Sequence, residues 1–242
     1  MKPRLLLQNH LFSEDEFQET RPIIEKYFEV EDATDIFQYR GQNRLFRGSL
    51  SLARVLGNKF EFANGLKWVP YFRRELVNPG VIFTDLSDIV NIDFPAFVRP
   101  VSPFKEFAGN VFTEESWKSE YDWLLSKNTD PFLICAHCRP VRIGREWRCI
   151  FINGKYVSGS QYLMDGELSI KAEIPEEVIE YARALSKLDY FLNEFEFTID
   201  VAETDDGLKL VELNAFPTAS FYAADLDKIY SEWQKSLDNP GI

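Results

Sequence analysis

The chain of 242 residues holds only three cysteines, too few and too odd in number to form a disulfide framework. No apolar run approaches the roughly 18 residues needed to cross a bilayer, and no charged-then-apolar leader opens the sequence. These absences predict a soluble, cytoplasmic protein with no membrane partner. Basic residues are scarce as well: 27 Lys and Arg stand against 39 Asp and Glu, a net charge of −12. That balance argues against general nucleic-acid binding through a phosphate-neutralising surface and leaves room only for a local basic cleft. Internal repeats, low-complexity tracts, a flexible linker and a convincing Ser-His or Cys-His nucleophile are missing too. Core material is plentiful: 45% of residues are hydrophobic, with 21 Phe and 10 Tyr, enough for one large domain or two modest ones sharing a core.

Arg4 to Gln8 reads as a short buried strand. Ser13 to Phe28 fits an amphipathic helix with Ser13 as its cap and Glu16 completing a capping box; Phe17, Ile24 and Phe28 fall near one face. Residues 30 to 90 alternate short apolar runs with turn signals such as Asn64-Gly65 and predict an α/β entry domain without a chemical motif. Beyond residue 90, Pro95 to Pro100 reads as a strand, followed by a loop with Lys105 and Gly109 and then by Val111-Phe112. Thr113 begins a helix burying Trp117, Tyr121, Leu124 and Leu125. Phe132 to Ala136 is an apolar strand, Trp147 to Tyr162 a hairpin turning at Asn153-Gly154, and Pro175 to Leu192 a helix.

The last hairpin, Glu194 to Glu203 and Leu208 to Phe216, carries the sharpest chemical signal. Phe195, Phe197, Ile199 and Val201 alternate with Glu196, Thr198 and Asp200. A three-residue turn at Asp205-Asp206-Gly207 pairs Thr204 with Leu208, which sets Asp200 opposite Glu212, with Asn214 two residues on along the same face. Like charges opposed in a sheet repel, and a divalent cation with oxygen ligands resolves the conflict. The alternative is a pair of solvated acids on an exposed face. Leu208 and Leu210, read on the face of Glu212, argue for its partial burial.

Arg148 lies on a partly apolar strand face with Glu146, Ile150 and Ile152, a setting that asks for a partner or a ligand. Arg99 before Pro100, with Lys105 and Gly109 following, reads either as surface or as two cations over phosphates. Arg40, Arg44, Arg47 and Arg54 read either as solvated side chains or as contacts for an anionic substrate. Cys135-Ala136-His137-Cys138 lacks ligands for structural zinc, since only Cys149 and His10 remain; free cysteines packed in a core account for it.

In order and spacing these pieces resemble an ATP-grasp domain. Phe97-Val98-Arg99-Pro100, Lys105 to Gly109, Glu146-Trp147-Arg148, Ser160-Gln161-Tyr162, Asp200-Val201, Val211 to Asn214 and Phe221 to Asp225 resemble a divergent clade of bacterial and phage proteins with two key arginines and a lysine. That clade also includes the eukaryotic assembly chaperone of the translation initiation factor that delivers initiator tRNA. The resemblance covers about residues 90 to 230. It implies an α/β (α+β) ATP-grasp fold: an entry domain over 1–89, then an ATP-grasp domain over 90–242, with a lid subdomain over about 90–160 and a metal-binding subdomain over about 161–242. ATP would lie between the two subdomains. Arg99, Lys105 and Arg148 would serve as the catalytic phosphate contacts, with Glu146 beside them, and Ala136, His137 and Cys138 would meet the adenine. Asp200, Glu212 and Asn214 would hold Mg²⁺. Arg99 stands where many ATP-grasp enzymes have lysine, and no glycine-rich run accompanies Gly109. The implied activity is ligation of a carboxylate to an amine through an acyl phosphate, on small-molecule, peptide or protein substrates. The alternative is a nucleotide-binding assembly or modification factor without turnover. Oligomeric state is not encoded in any of these features.

Overall fold

A computed structural model describes residues 2–9, 14–57, 66, 68–72, 74–78, 80–102, 106–191 and 195–238. In chain order the strands and helices are β1 (Arg4–Leu7), α1 (Glu14–Tyr27), β2 (Glu29–Asp32), β3 (Phe46–Arg47), α2 (Leu50–Leu56), β4 (Ile82–Asp85), β5 (Ala96–Pro100), β6 (Asn110–Phe112), α3 (Glu114–Ser126), β7 (Ile134–Cys138), β8 (Ile143–Ile152), β9 (Lys155–Met164), β10 (Glu167–Lys171), α4 (Glu176–Leu185), β11 (Glu196–Thr204), β12 (Gly207–Ala215) and α5 (Leu226–Asp238). They form two compact units, residues 1–63 with 143–242 and residues 64–142. No helix among the described residues is long and apolar enough to cross a membrane.

The first unit holds a parallel sheet ordered β2-β1-β3 and an antiparallel sheet ordered β10-β9-β8-β11-β12. Three consecutive leucines in β1 are fully buried because that strand is covered on both sides, as parallel strands are. Leu5 and Leu7 join α1, α5 and Phe216 in one core, while Leu6 joins Leu52 and Leu56 of α2 in another. Ile24 and Phe28 are buried as expected, while the proposed Ser13 cap lies outside the described residues. The antiparallel sheet is likewise covered on both faces. Val178, Ala182 and Leu185 of α4 are buried where that helix meets β8, β9 and β11. Ile150, Ile152 and Val157 pack with Ile229, Tyr230 and Trp233 of α5. The sequence reading missed β10 and α5, and it ran α4 too far. That helix stops at Leu185, where the Ser186 hydroxyl donates back to the Arg183 carbonyl at 3.0 Å. Pro175 is the N-cap of α4, one position before its first turn.

The second unit is a four-stranded sheet ordered β4-β7-β5-β6 with α3 against it. Thr113 caps α3 in a capping box with Ser116. Trp117 and Leu124 are buried as expected, but Leu125 is 41% exposed, one residue round the helix from the buried stripe. Strand β7 begins at Ile134, two residues later than predicted. Asp130 accepts a hydrogen bond from the Phe132 amide at 2.9 Å, so an Asx turn occupies the start of the apolar run and leaves Phe132 exposed.

Candidate functional site

Four antiparallel strands place one residue each in a continuous row across the larger sheet: Ser160 on β9, Arg148 on β8, Asp200 on β11 and Glu212 on β12. Asp200 therefore opposes Glu212 as anticipated, but by a different route. Gly207 takes the left-handed conformation, φ 92°, yet Thr204 pairs with Gly207 and Glu203 with Leu208. A bulge at Val211 then inserts the extra residue that restores the register at Asp200. The bulge also turns Leu210 over: it pairs with Val201 and is fully buried, so it does not share the face of Glu212. Thr198 and Asp200 are buried as thoroughly as Phe197, Ile199 and Val201 on the opposite face. Asp200 is thus no solvated acid.

Its partner is Arg148. The guanidinium grips Asp200 bidentately, Nε to Oδ1 at 2.8 Å and Nη2 to Oδ2 at 2.7 Å, with the two side chains 10% and 1% exposed. The third nitrogen donates to the Ser220 carbonyl at 3.0 Å. Asn214 Nδ2 donates to Asp200 Oδ2 at 3.2 Å and to Glu212 Oε2 at 3.4 Å, so the carboxamide links the two carboxylates. Burial alone would lower the Arg148 pKa, but the charge and hydrogen bonds of Asp200 outweigh it and hold the guanidinium firmly protonated.

Aromatic rings line this row. Tyr162 and Tyr222 stack with centroids 5.1 Å apart, and Arg148 Cζ lies 5.5 and 5.3 Å from the two rings. Tyr162 donates to Glu146 Oε2 at 2.6 Å. Burial raises the Glu146 pKa, and the Asp200 and Glu212 charges add to that rise against the Tyr162 hydrogen bond. Tyr162 itself is pushed well above the usual phenol range, by burial first and then by Asp200 and Glu146. The segment carrying Tyr222 is tied down nearby, the Ala223 amide donating to Ser160 Oγ at 3.2 Å and the Asp225 amide to Ser158 Oγ at 2.9 Å. Gly159 allows the strands to close behind Arg148: a Cβ there would stand 2.5 Å from the Arg148 carbonyl oxygen.

The donors gathered here are hard oxygens. Among the described residues no cluster of three or more His, Cys, Asp or Glu side chains is shaped to hold a metal ion. A cation at this row would therefore rest on Glu212, Asp200 and an Asn214 amide turned to present its oxygen, completed by phosphate and water. Such a sparse set fits Mg²⁺, which keeps several waters and takes only one or two protein carboxylates.

In the second unit Arg99 sits on β5 directly across from Ala136 on β7, and His137 and Cys138 pair with Val98 and Phe97. Gly109 packs close to them: a Cβ there would meet Arg99 Cβ at 2.9 Å. Lys105 lies outside the described residues. Burial lowers the His137 pKa, favouring the neutral imidazole, and raises the thiols of Cys135 and Cys138 to about 12 and about 11. A cavity of about 410 Å³ is lined by Ile82, Ala96, His137, Cys138 and Arg139 among others, and so shares two residues with the strand expected to meet adenine.

A family profile described as ATP-grasp domain, R2K clade family 2, matches residues 78–231. The chain belongs to that family. Among solved structures, this ATP-grasp chain is similar in fold to the D-cycloserine synthetase DcsG, at 13% identity and TM-score 0.61 over 96% of this chain and 99% of that one. It is also similar to D-alanine–D-alanine ligase from Bacillus anthracis (13%, TM-score 0.59, 98% and 95%). An ATP-grasp RimK domain protein from Sphaerobacter thermophilus gives 11% identity and TM-score 0.61 over 96% and 99%. No curated protein matches the chain in sequence.

Sequence reasoning on this ATP-grasp chain missed Tyr162, Tyr222 and the Ser220 carbonyl as neighbours of Arg148. Tyr162 and Tyr222 stand inside quoted motifs, so a signal existed. Their meeting across 60 residues of chain had none. Of the four early arginines, Arg44 is paired with Glu31 at 2.6 Å, and Arg47 is buried on backbone carbonyls. Arg47 therefore fits neither of its two sequence readings.

Proposed function

We propose that the protein is an ATP-dependent ligase joining a carboxylate to an amine, with Mg-ATP as its nucleotide. The observation that carries this reading is the Arg148–Asp200–Glu212 row with Asn214 bridging its carboxylates, held in a chain of the ATP-grasp family. The fold it shares with D-cycloserine synthetase and D-alanine–D-alanine ligase supports the same direction. In the reaction a substrate carboxylate oxygen attacks the γ-phosphorus of ATP, and the bond to the β,γ-bridging oxygen breaks to release ADP. The amine then attacks the acyl phosphate carbonyl, expels inorganic phosphate and loses a proton to solvent. Neither step needs a protein nucleophile; positioning and charge neutralisation carry the catalysis.

Glu212, Asn214 and Asp200 would hold the Mg²⁺, which when bound supplies charge neutralisation to the phosphates. Arg148 keeps a fixed positive charge beside them, oriented by Asp200 and the Ser220 carbonyl. Arg99 and Lys105 are assigned to the phosphates and Ala136, His137 and Cys138 to adenine on the family resemblance, and the cavity at His137 supports the latter.

The test is calorimetric titration with a non-hydrolysable ATP analogue, with and without Mg²⁺, on the wild type and on Glu212→Gln. Magnesium-dependent binding that weakens at least about tenfold in the variant, ~1.4 kcal/mol, is expected. ADP release is then measured against panels of small-molecule and peptide carboxylates and amines. Binding without ADP release on any panel would favour a nucleotide-binding assembly or modification factor. A folded wild type that binds no analogue would overturn the nucleotide reading.

A further inference from the structure

Arg47 on β3 is 1% exposed, yet no carboxylate among the described residues forms an ion pair with it. Its guanidinium donates instead to two backbone carbonyls of the segment that follows β12, Nη1 to Phe216 O at 2.5 Å and Nη2 to Ala219 O at 2.8 Å. Cζ lies 3.9 Å from the centroid of the Phe221 ring and 5.8 Å from that of Phe216. The next residue adds a third tie, the Gly48 amide donating to the Pro217 carbonyl at 3.0 Å. Arg47 Nε and the Tyr230 hydroxyl, both buried, make no well-aligned hydrogen bond among the described residues, although the Tyr230 oxygen lies near enough to the guanidinium to favour its charge. Burial pulls the Arg47 pKa down.

A guanidinium held this deep without a counter-charge is a costly way to fill a core, and an apolar side chain of the same volume would serve packing alone as well or better. What the arginine adds is direction. Its planar fork fixes two carbonyls at once, which no apolar residue and no lysine reproduces. Between those carbonyls and the stacked ring lies Ser220, whose own carbonyl receives Arg148 Nη1, and one residue past the ring lies Tyr222, stacked on Tyr162. Asn214, which bridges Asp200 and Glu212, stands two residues before Phe216.

From this arrangement we infer that Arg47 is a positioning residue for the nucleotide site, a clamp from the N-terminal segment that sets the 216–221 backbone and so aims Arg148 and Tyr222. It lies outside the stretch 78–231 matched by the family. The inference rests on the ligase reading for what the clamp serves, but not for the clamp itself.

The test compares wild type, Arg47→Met and Arg47→Lys by thermal denaturation, by titration with the non-hydrolysable ATP analogue plus Mg²⁺ and with adenosine, and by amide hydrogen exchange. Arg47→Met should keep its fold and weaken analogue binding at least tenfold while changing adenosine binding less than twofold, and Arg47→Lys should recover part of the loss. Exchange at the Ala223 and Asp225 amides should quicken at least tenfold in Arg47→Met, with α4 amides unchanged. Should Arg47→Met fail to fold, Phe221→Leu removes the ring beneath the guanidinium and should show the same exchange pattern more weakly. Equal analogue affinity with unchanged exchange at 223 and 225 would overturn the clamp. So would losses in analogue and adenosine binding of the same size, which mark a merely structural residue. If the wild type binds no nucleotide, the ligase reading falls, and the exchange pattern alone decides the clamp.

Discussion

Replacing Arg148 with methionine is expected to deprive the buried Asp200 carboxylate of its bidentate guanidinium. The wild-type pair is bidentate at 2.7 and 2.8 Å with almost no solvent on either side chain. Breaking a buried pair from one side costs about 3–5 kcal/mol, because the remaining charge loses its partner without regaining water. On the scale of a 150–250-residue protein that is a fall in Tm of about 6–20 °C. Asp200→Leu should cost about as much, for then the buried guanidinium is the stranded charge. The double variant should return to within about 2 kcal/mol of wild type, since replacing the whole pair with apolar groups is often near neutral. The residue left over reflects Asn214 and the Ser220 carbonyl, each deprived of one partner. Urea denaturation of the four proteins closes the cycle, and the coupling should exceed about 2 kcal/mol. An Arg148→Met cost below about 1 kcal/mol, the range of exposed pairs, would show that water reaches the row and would refute the reasoning.

Arg148→Lys should behave nearly as badly as Arg148→Met, because one ammonium cannot span both Asp200 oxygens and the Ser220 carbonyl in a plane; a Tm within 2 °C of wild type, about 1 kcal/mol or less, would contradict this. Gly159→Ala should destabilise by at least about 1–3 kcal/mol, since its Cβ meets the Arg148 backbone oxygen as well as the end of the Ile174 side chain, and only the latter can swing away; an unchanged Tm would show that the strands part easily. Glu196, on β11 beside α5, has its pKa raised chiefly by burial, partly countered by hydrogen bonds from Ser236 and Trp233. The folded state therefore holds this proton more tightly than the unfolded chain, and stability is lost as pH climbs from about 4.3 through the raised folded value. Glu196→Gln should raise Tm more at pH 7.5 than at pH 4.5; an equal change at both would place no titration there.

The opposition of Asp200 and Glu212 was legible because strict alternation in β11 and a glycine turn leave few registers for the hairpin. The way it is reached was not. A bulge is one residue in excess, and nothing in the composition of Val211 marks it, so the turn count and the bulge each shifted the register by one and cancelled. The same bulge put Leu210 on the core side, which no count along the strand reveals. Arg99 and Gly109 lie close because β5 and β6 are consecutive antiparallel strands, whereas β7 reaches β5 only after α3, a pairing that no local pattern announces. Arg47 meeting Phe216 and Tyr162 meeting Tyr222 are contacts across 169 and 60 residues of chain. Such pairs become visible only when helices and sheets are in place, since local pattern says which side of an element faces inward and nothing about what it faces. Helix α5 is legible in the sequence: Ile229, Tyr230, Trp233 and Leu237 recur at helical spacing.

The geometry also sorts the roles within the proposed metal set. Asp200 is buried, and both its oxygens accept from Arg148, with Asn214 on one of them as well. Its charge is already balanced, so its first contribution is to orient the guanidinium. Glu212 is only half-buried and ends the row on the edge strand β12, one strand further from that cation. Burial disposes the neighbouring Glu146 to keep its proton, against the hydrogen bond that Tyr162 donates to it. Glu212 is thereby the more open of the two carboxylates, and on the ligase reading it, rather than Asp200, is the principal anchor for a divalent cation. That ordering explains why an overall charge of −12 is compatible with binding a polyanion: charge is cancelled pair by pair in this row, and a nucleotide meets the local sum and not the total.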